Sequence, residues 1–250
     1  MRSGILSCKI CGSNDLEEIE SKDTYYFCND CEVIFIDSTE IVGPEAEKER
    51  YQGHDNNHQN EGYVKMFREF ISNLLEPNID FEEVKDVLDF GCGPGPVLAD
   101  LLRERKFNVD QYDPYFFPTK KFKNNKYDLI TSTEVFEHFS DPIKEMELLT
   151  SHLKKGSYLA VMTSFHPGPE NFGDWWYKWD PTHIVFYNKI TFNKIASIFD
   201  LEIVDTDRYG RLIGIVKRSN DGRELNKALV ASGYAWWYRS YAPNDTELKS

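Results

Sequence analysis

Residues 87–95, Val-Leu-Asp-Phe-Gly-Cys-Gly-Pro-Gly, restrict the fold more than any other stretch of the chain. Val87, Leu88 and Phe90 form a short apolar run of strand type, and Gly91, Gly93 and Gly95 follow at alternate positions. VLADLLRER, residues 97–105, then spaces its apolar residues as a helix does. The pattern predicts a strand that ends in a glycine turn opening a helix. Glycines there let a ligand lie against the backbone N–H groups at the helix start. Such turns serve many nucleotide sites and some empty ones, so later residues must narrow the reading.

Two features do so. Eighteen residues beyond Gly95, Phe107 and Val109 lead to Asp113 in the triplet YDP, where a carboxylate can accept from both hydroxyls of a ribose. Further on, YDLITSTEVFEH, residues 127–138, reads as a buried strand running into a polar loop at its carboxyl end, the end at which open α/β sheets bind ligands.

With DFGCGPG, Asp113, YDLITSTEVFEH and the following SHLKKGSYLAVMT, the chain resembles the class I S-adenosylmethionine-dependent methyltransferases over about residues 84–205. The resemblance implies an α/β fold: a Rossmann-like sheet of the seven-stranded type with helices on both faces. It also implies that Asp89, Gly91, Gly93, Gly95 and Glu134 line the cofactor, and that Asp113 holds its ribose. One departure stands out. Only about a dozen residues, YFFPTKKFKNNK, separate the Asp113 turn from the next strand, so the usual intervening helix and third strand are expected to be trimmed or absent.

Four of the five cysteines form two pairs ahead of this region, Cys8 with Cys11 and Cys28 with Cys31, sixteen residues apart. That spacing suits a structural zinc held by four thiolates in a small zinc ribbon; redox dithiols or free cysteines are the alternatives. No apolar run approaches the ~20 residues of a membrane span, and MRSGILSCKICGS lacks a signal-peptide core. A cytoplasmic protein is expected. The net charge of −13 is concentrated at the front, where residues 1–83 carry 7 basic against 19 acidic side chains. Phosphate backbones are repelled by such a surface, which favours a small-molecule partner over nucleic acid.

The expected order is a ribbon (1–37), a linker with a lid or helix (38–83), the cofactor-binding core (84–217) and a helical tail (218–250). Residues 38–62 are polar without sustained periodicity, and their Tyr51, His54, Asn56 and His58 suit either a solvated loop or a lid. Glu134, Glu137 and His138 are candidates for polar work near the sulfonium. His138 suits a proton acceptor, or a histidine that only stabilises its loop. Residues 163–187 hold three tryptophans with His166, His183 and Tyr187, a composition that fits either an acceptor pocket or an aromatic roof on the sheet. His166 or His183 would then act as base, with Tyr187 orienting the acceptor.

Residues 205–248 carry a second resemblance. DRYGR, a strand, DGRELNKALVASG and AWWYRSYAP resemble the second half of the staphylococcal nuclease-like family, which would make Arg211 a phosphate ligand. That family's glutamate base and calcium-binding aspartates have no counterpart here, and half a barrel cannot bury its own core. The expected outcome is a hairpin that completes the methyltransferase sheet, a helix over ELNKALVASGYAWW packed on it, and Arg211 on the surface. The function expected is methyl transfer to a small molecule; the alternatives are an RNA-directed methyltransferase, a non-catalytic cofactor or RNA binder, and a nuclease.

Overall fold

The computed structural model describes residues 6–53, 55–206 and 212–217, so Arg211, His54 and the helix expected after residue 223 lie outside the described residues. In chain order the strands are β1 (Leu16–Ile19), β2 (Tyr25–Cys28), β3 (Ile34–Ile36), β4 (Asp86–Phe90), β5 (Asn108–Tyr112), β6 (Tyr127–Thr133), β7 (Leu153–Met162), β8 (Val185–Phe186), β9 (Leu201–Thr206) and β10 (Leu212–Lys217).

The larger sheet has the order β5-β4-β6-β7-β10-β9. Strands β5, β4, β6 and β7 are parallel, with Val87 opposite both Val109 and Leu129, while β10 runs antiparallel between β7 and β9. Strands β9 and β10 therefore complete this sheet as an antiparallel pair, as expected. Because the chain leaves β4 for β5 on one side and then crosses to β6 on the other, the strand order reverses at β4. Ligands of open α/β sheets bind in the crevice beyond such a switch point.

The sheet has six strands among the described residues, and the third strand expected to be trimmed or absent is not among them. After β5 the chain makes a single bridge, Asp113 with Phe117, and a 3-10 turn at Lys120–Asn124 before re-entering the sheet as β6. Too few residues are available there for a helix and a strand, so β5 remains the edge.

Helices cover both faces. On one, helix α2 (Glu61–Phe70), the π-helical turn Ile71–Leu75 and the helix Val97–Glu104 pack Phe67, Phe70, Ile71, Leu75, Val97 and Leu101 against Val87, Leu129 and Ala160. Burying each of these larger side chains contributes roughly 1.5–3 kcal/mol. Asn60 caps α2 by accepting from Tyr63 N–H, and the helical path continues through Pro77 to Asn78. The opposite face carries the helices Pro142–Ser151 and Lys189–Ile198 and the described part of the N-terminal ribbon.

The ribbon is bound into this second face. Its strands β1, β2 and β3 form an antiparallel sheet to which β8 adds a fourth strand, with Ile34 opposite Phe186. Tyr25, Phe172 and Phe186 then stack edge to face with ring centroids 5.0–6.1 Å apart. The supposed linker also contains structure: helix α1 (Pro44–Gln52) starts at a proline, with Glu45 and Glu47 in its first turn and Arg50 in its last. These residues suit the two ends of the helix dipole.

Candidate active site

The turn after β4 is built as its glycines suggested, but each glycine is needed for a different reason. Gly91 (φ +80°) and Gly93 (φ +63°) occupy the left-handed region that other residues enter at a cost. At Gly91 a Cβ would stand inside Val135, so this glycine lets the loop after β6 lie directly against the turn. A Cβ at Gly93 would meet nothing within 4 Å; the space above it is open. At Gly95 the close approach is to the chain itself, because the carbonyl of Asn56 occupies the place of a Cβ.

Asp113 turns inward. Its Oδ2 accepts from Gly93 N–H at 3.1 Å, and its Oδ1 accepts from the N–H groups of Tyr115 and Phe116 at 2.8 and 3.0 Å. A carboxylate has about four acceptor positions, so one remains for a ligand hydroxyl, and a second becomes available if a turn N–H lets go. Asp89 lies deeper, on β4, where its Oδ1 accepts from Thr131 Oγ1–H at 3.0 Å. Burial pushes its carboxyl up to about 7, with the Thr131 hydroxyl pulling the other way.

Beyond Gly91 the loop carries Glu134 to His138. Glu137 is fully buried: its Oε1 accepts from Tyr177 O–H at 2.6 Å and its Oε2 from Thr163 Oγ1–H at 2.9 Å. Tyr177 Oη also lies 2.8 Å from Glu134 Oε2. His138 and His183 face the same carboxylate, their Nε2 atoms 3.9 and 4.0 Å from Glu137 Oε1. The tyrosine hydroxyl, buried between two carboxylates, is pushed well above its usual range.

The remaining base and acceptor candidates go elsewhere. His166 Nε2–H donates to the Glu32 carbonyl at 2.8 Å, and its Nδ1 accepts from Gly168 N–H at 3.2 Å, so this ring ties the aromatic segment to the ribbon. Tyr187 is buried and donates to the Phe136 carbonyl at 2.9 Å, which fixes the loop from below. Part of the aromatic segment is thus roof, while Trp176 and Trp179 stay 63% and 69% exposed beside Tyr177.

Sequence reasoning passed over Glu47 and Arg50 because α1 has no apolar stripe to announce it. Arg50 pairs with Asp180 at 2.8 Å, and Glu47 accepts from the hydroxyls of both Tyr51 and Tyr115 at 2.7 Å. Tyr51 sits edge-on to His138, ring centroids 5.2 Å apart. With Asn56 on Gly95 and His58 bonded to Asp100 at 3.0 Å, helix α1 and residues 55–60 cover the glycine turn and the EVFEH loop together.

The four ribbon cysteines form a separate cluster, with all four sulfurs within 4.8 Å of one another and closest distances of 3.5 Å for Cys8–Cys31 and Cys11–Cys28. None is in a disulfide. Four Zn–S bonds of ~2.3 Å in a tetrahedron place sulfurs about 3.8 Å apart, so the quartet fits such an ion with little movement. A hydrogen bond with the Cys31 thiol pulls Cys8 below the usual thiol range.

A family described as a methyltransferase domain matches residues 57–206, and one described as a staphylococcal nuclease homologue matches residues 183–250. No curated protein matches the chain. Among solved structures it is similar to an O-methyltransferase family protein from Burkholderia thailandensis (13% identity, 70% of this chain and 63% of that one, TM-score 0.48). The mitomycin 7-O-methyltransferase MmcR is similar at 12% identity, with 72% of this chain and 59% of that one covered and a TM-score of 0.50. Likeness at this identity is one of fold, and the chain spans less than two-thirds of the length of either structure. The first family covers more than half the chain, including the glycine turn, Asp113 and the EVFEH loop, and the chain therefore belongs to the methyltransferase-domain family.

Proposed function

We propose that the protein transfers a methyl group from S-adenosylmethionine to a small-molecule acceptor bound between the EVFEH loop and the aromatic segment 163–187. The observation that carries this reading is the open space above Gly93, bordered by the inward Asp113 carboxylate and by the loop that Gly91 admits. The cofactor, when bound, supplies an electrophilic methyl carbon on a sulfonium. Asp113 would accept from its ribose hydroxyls, and the N–H groups of the glycine turn, with Asp89 beneath them, would face its amino-acid end.

Methyl transfer is an in-line displacement, so the protein's task is placement and proton removal. As bases, His138 and His183 would take the proton of an acceptor hydroxyl or amine through Nε2, the ring nitrogen that lies near Glu137. Helix α1 and residues 55–60 would exclude water once the acceptor is in place. Exposed Trp176 and Trp179 offer flat apolar faces to an aromatic acceptor. Four thiols at zinc-ligand spacing support a structural Zn2+ on Cys8, Cys11, Cys28 and Cys31, and free thiols suit the reducing cytoplasm. No helix among the described residues is long and apolar enough to cross a membrane.

The test is incubation of the protein with cell extract and methyl-labelled cofactor, followed by fractionation by molecular class. Label in a low-molecular-weight product is expected. Label confined to RNA would replace the acceptor assignment, and no label in any fraction would remove the catalytic reading in favour of a cofactor-binding module.

A further inference from the structure

Glu137, His138 and His183 come from segments 45 residues apart and meet beside the glycine turn. Their three donor atoms lie within 4.8 Å of one another, and the two imidazole centroids are 4.9 Å apart. Each ring is oriented by a backbone carbonyl: His138 Nδ1 bonds to Thr182 O at 2.8 Å and His183 Nδ1 to Tyr177 O at 2.7 Å. A carbonyl can only accept, so in both neutral rings Nδ1 carries the hydrogen and Nε2 the lone pair. It is the two Nε2 atoms that face the buried carboxylate.

Two imidazole nitrogens and a carboxylate oxygen gathered this closely make a ligand set for a cation. An imidazole whose Nδ1–H is fixed by a carbonyl is also how proteins hold a metal-binding histidine, setting both its tautomer and its direction. Bonds of ~2.1 Å to an ion space its ligands about 3.0–3.4 Å apart, so the 3.9 and 4.0 Å gaps close by side-chain movements of under ~1 Å. Tyr177 holds the Glu137 carboxylate through Oε1 and Thr163 through Oε2, and Tyr177 links it to Glu134.

We infer that Glu137, His138 and His183 bind a divalent transition-metal ion, and that this ion holds an oxygen of the acceptor in line with the methyl donor. Two imidazoles and one carboxylate leave coordination positions open for such an oxygen. The ion lowers the pKa of a bound hydroxyl, which loses its proton to solvent. The oxygen then forms a bond to the methyl carbon while the carbon–sulfur bond breaks, its electron pair remaining on a neutral thioether. The Nε2 atoms act here as ligands, and the metal replaces them as the means of activating the acceptor. This role rests on the methyl-transfer reading; the metal site does not.

The experiment titrates Co2+ into the full chain with its cysteines already zinc-loaded, reading heat and visible absorbance. One added Co2+ per chain is expected, without the sulfur-to-cobalt charge-transfer bands that occupation of the cysteine site would give. At least tenfold weaker binding is expected in His183→Gln and in Glu137→Gln, with circular dichroism confirming their fold. If either variant fails to fold, His138→Gln serves in its place. No binding beyond the cysteine site, or equal binding by all folded variants, would overturn the site. Binding of S-adenosylhomocysteine, followed in the same samples, separates the two claims: its loss with Co2+ binding retained counts against the methyl-transfer reading alone.

Discussion

Alanine at position 91 puts a methyl group into space that Val135 fills. The backbone there has φ +80°, which costs a non-glycine residue roughly 1–2 kcal/mol. The new Cβ would also lie 2.9 Å from Val135 Cγ1 and closer still to Cγ2, whereas carbon atoms pack at ~3.5–4.0 Å. Overpacking of this kind costs about 1–3 kcal/mol, giving a total of about 2–5 kcal/mol for Gly91→Ala. Val135→Ala alone removes two methyl groups from a half-buried position and costs about 1 kcal/mol. In the double variant the backbone strain stays but the overlap goes, so it is expected to be more stable than the sum of the singles by about 1–3 kcal/mol. Urea unfolding of the four proteins at constant m-value measures this coupling. Additivity within ~0.5 kcal/mol would show that the EVFEH loop does not rest on the glycine turn, and the placement of its Glu134–His138 side chains beside the cofactor cleft would fall with it.

Three further perturbations test other parts of the site. Asp89 holds a proton in the folded state up to about pH 7 that the unfolded chain releases near 3.8, so its burial costs stability progressively as pH rises through that window. Asp89→Asn, which keeps an acceptor for Thr131, should therefore gain up to ~4 kcal/mol at pH 8 and little at pH 4; parallel pH–stability curves would contradict this. Elemental analysis should find one zinc per chain lost in Cys28→Ser together with a lower melting temperature, and a metal-free wild type with an unchanged melt would refute the structural role. Arg50→Ala breaks an ion pair worth less than about 1 kcal/mol, so global melting should hardly change while amide exchange over residues 44–52 accelerates; unchanged exchange would show that the pair does not hold α1 down.

The parts of this molecule that could be read from the sequence are those whose cause is local. An apolar run, three glycines and an amphipathic helix state the strand, glycine turn and helix within 19 residues, and two Cys-x-x-Cys pairs state their own geometry. The loss of the third strand was visible as a shortage of chain between Asp113 and Tyr127. Helix α1 was not visible, because its nine residues bury no side chain and are held by contacts to Tyr115 and Asp180, far away in the sequence. The two residues of β8 are too few to show a period, yet they join the ribbon to the core. His138, His166 and His183 looked equivalent as imidazoles in polar or aromatic stretches. Only the fold separates them, sending His166 to the Glu32 carbonyl and the other two to Glu137.

Methyl transfer as proposed requires a cofactor resting above Gly93. Isothermal titration of the full chain with S-adenosylhomocysteine, beside Gly93→Asp, examines that point alone. A side chain at φ +63° strains the turn and places a carboxylate in the open space next to Asp113, so the wild type should bind one equivalent in the micromolar range and the variant none. Equal binding by both proteins, or no binding by the wild type, would contradict the account.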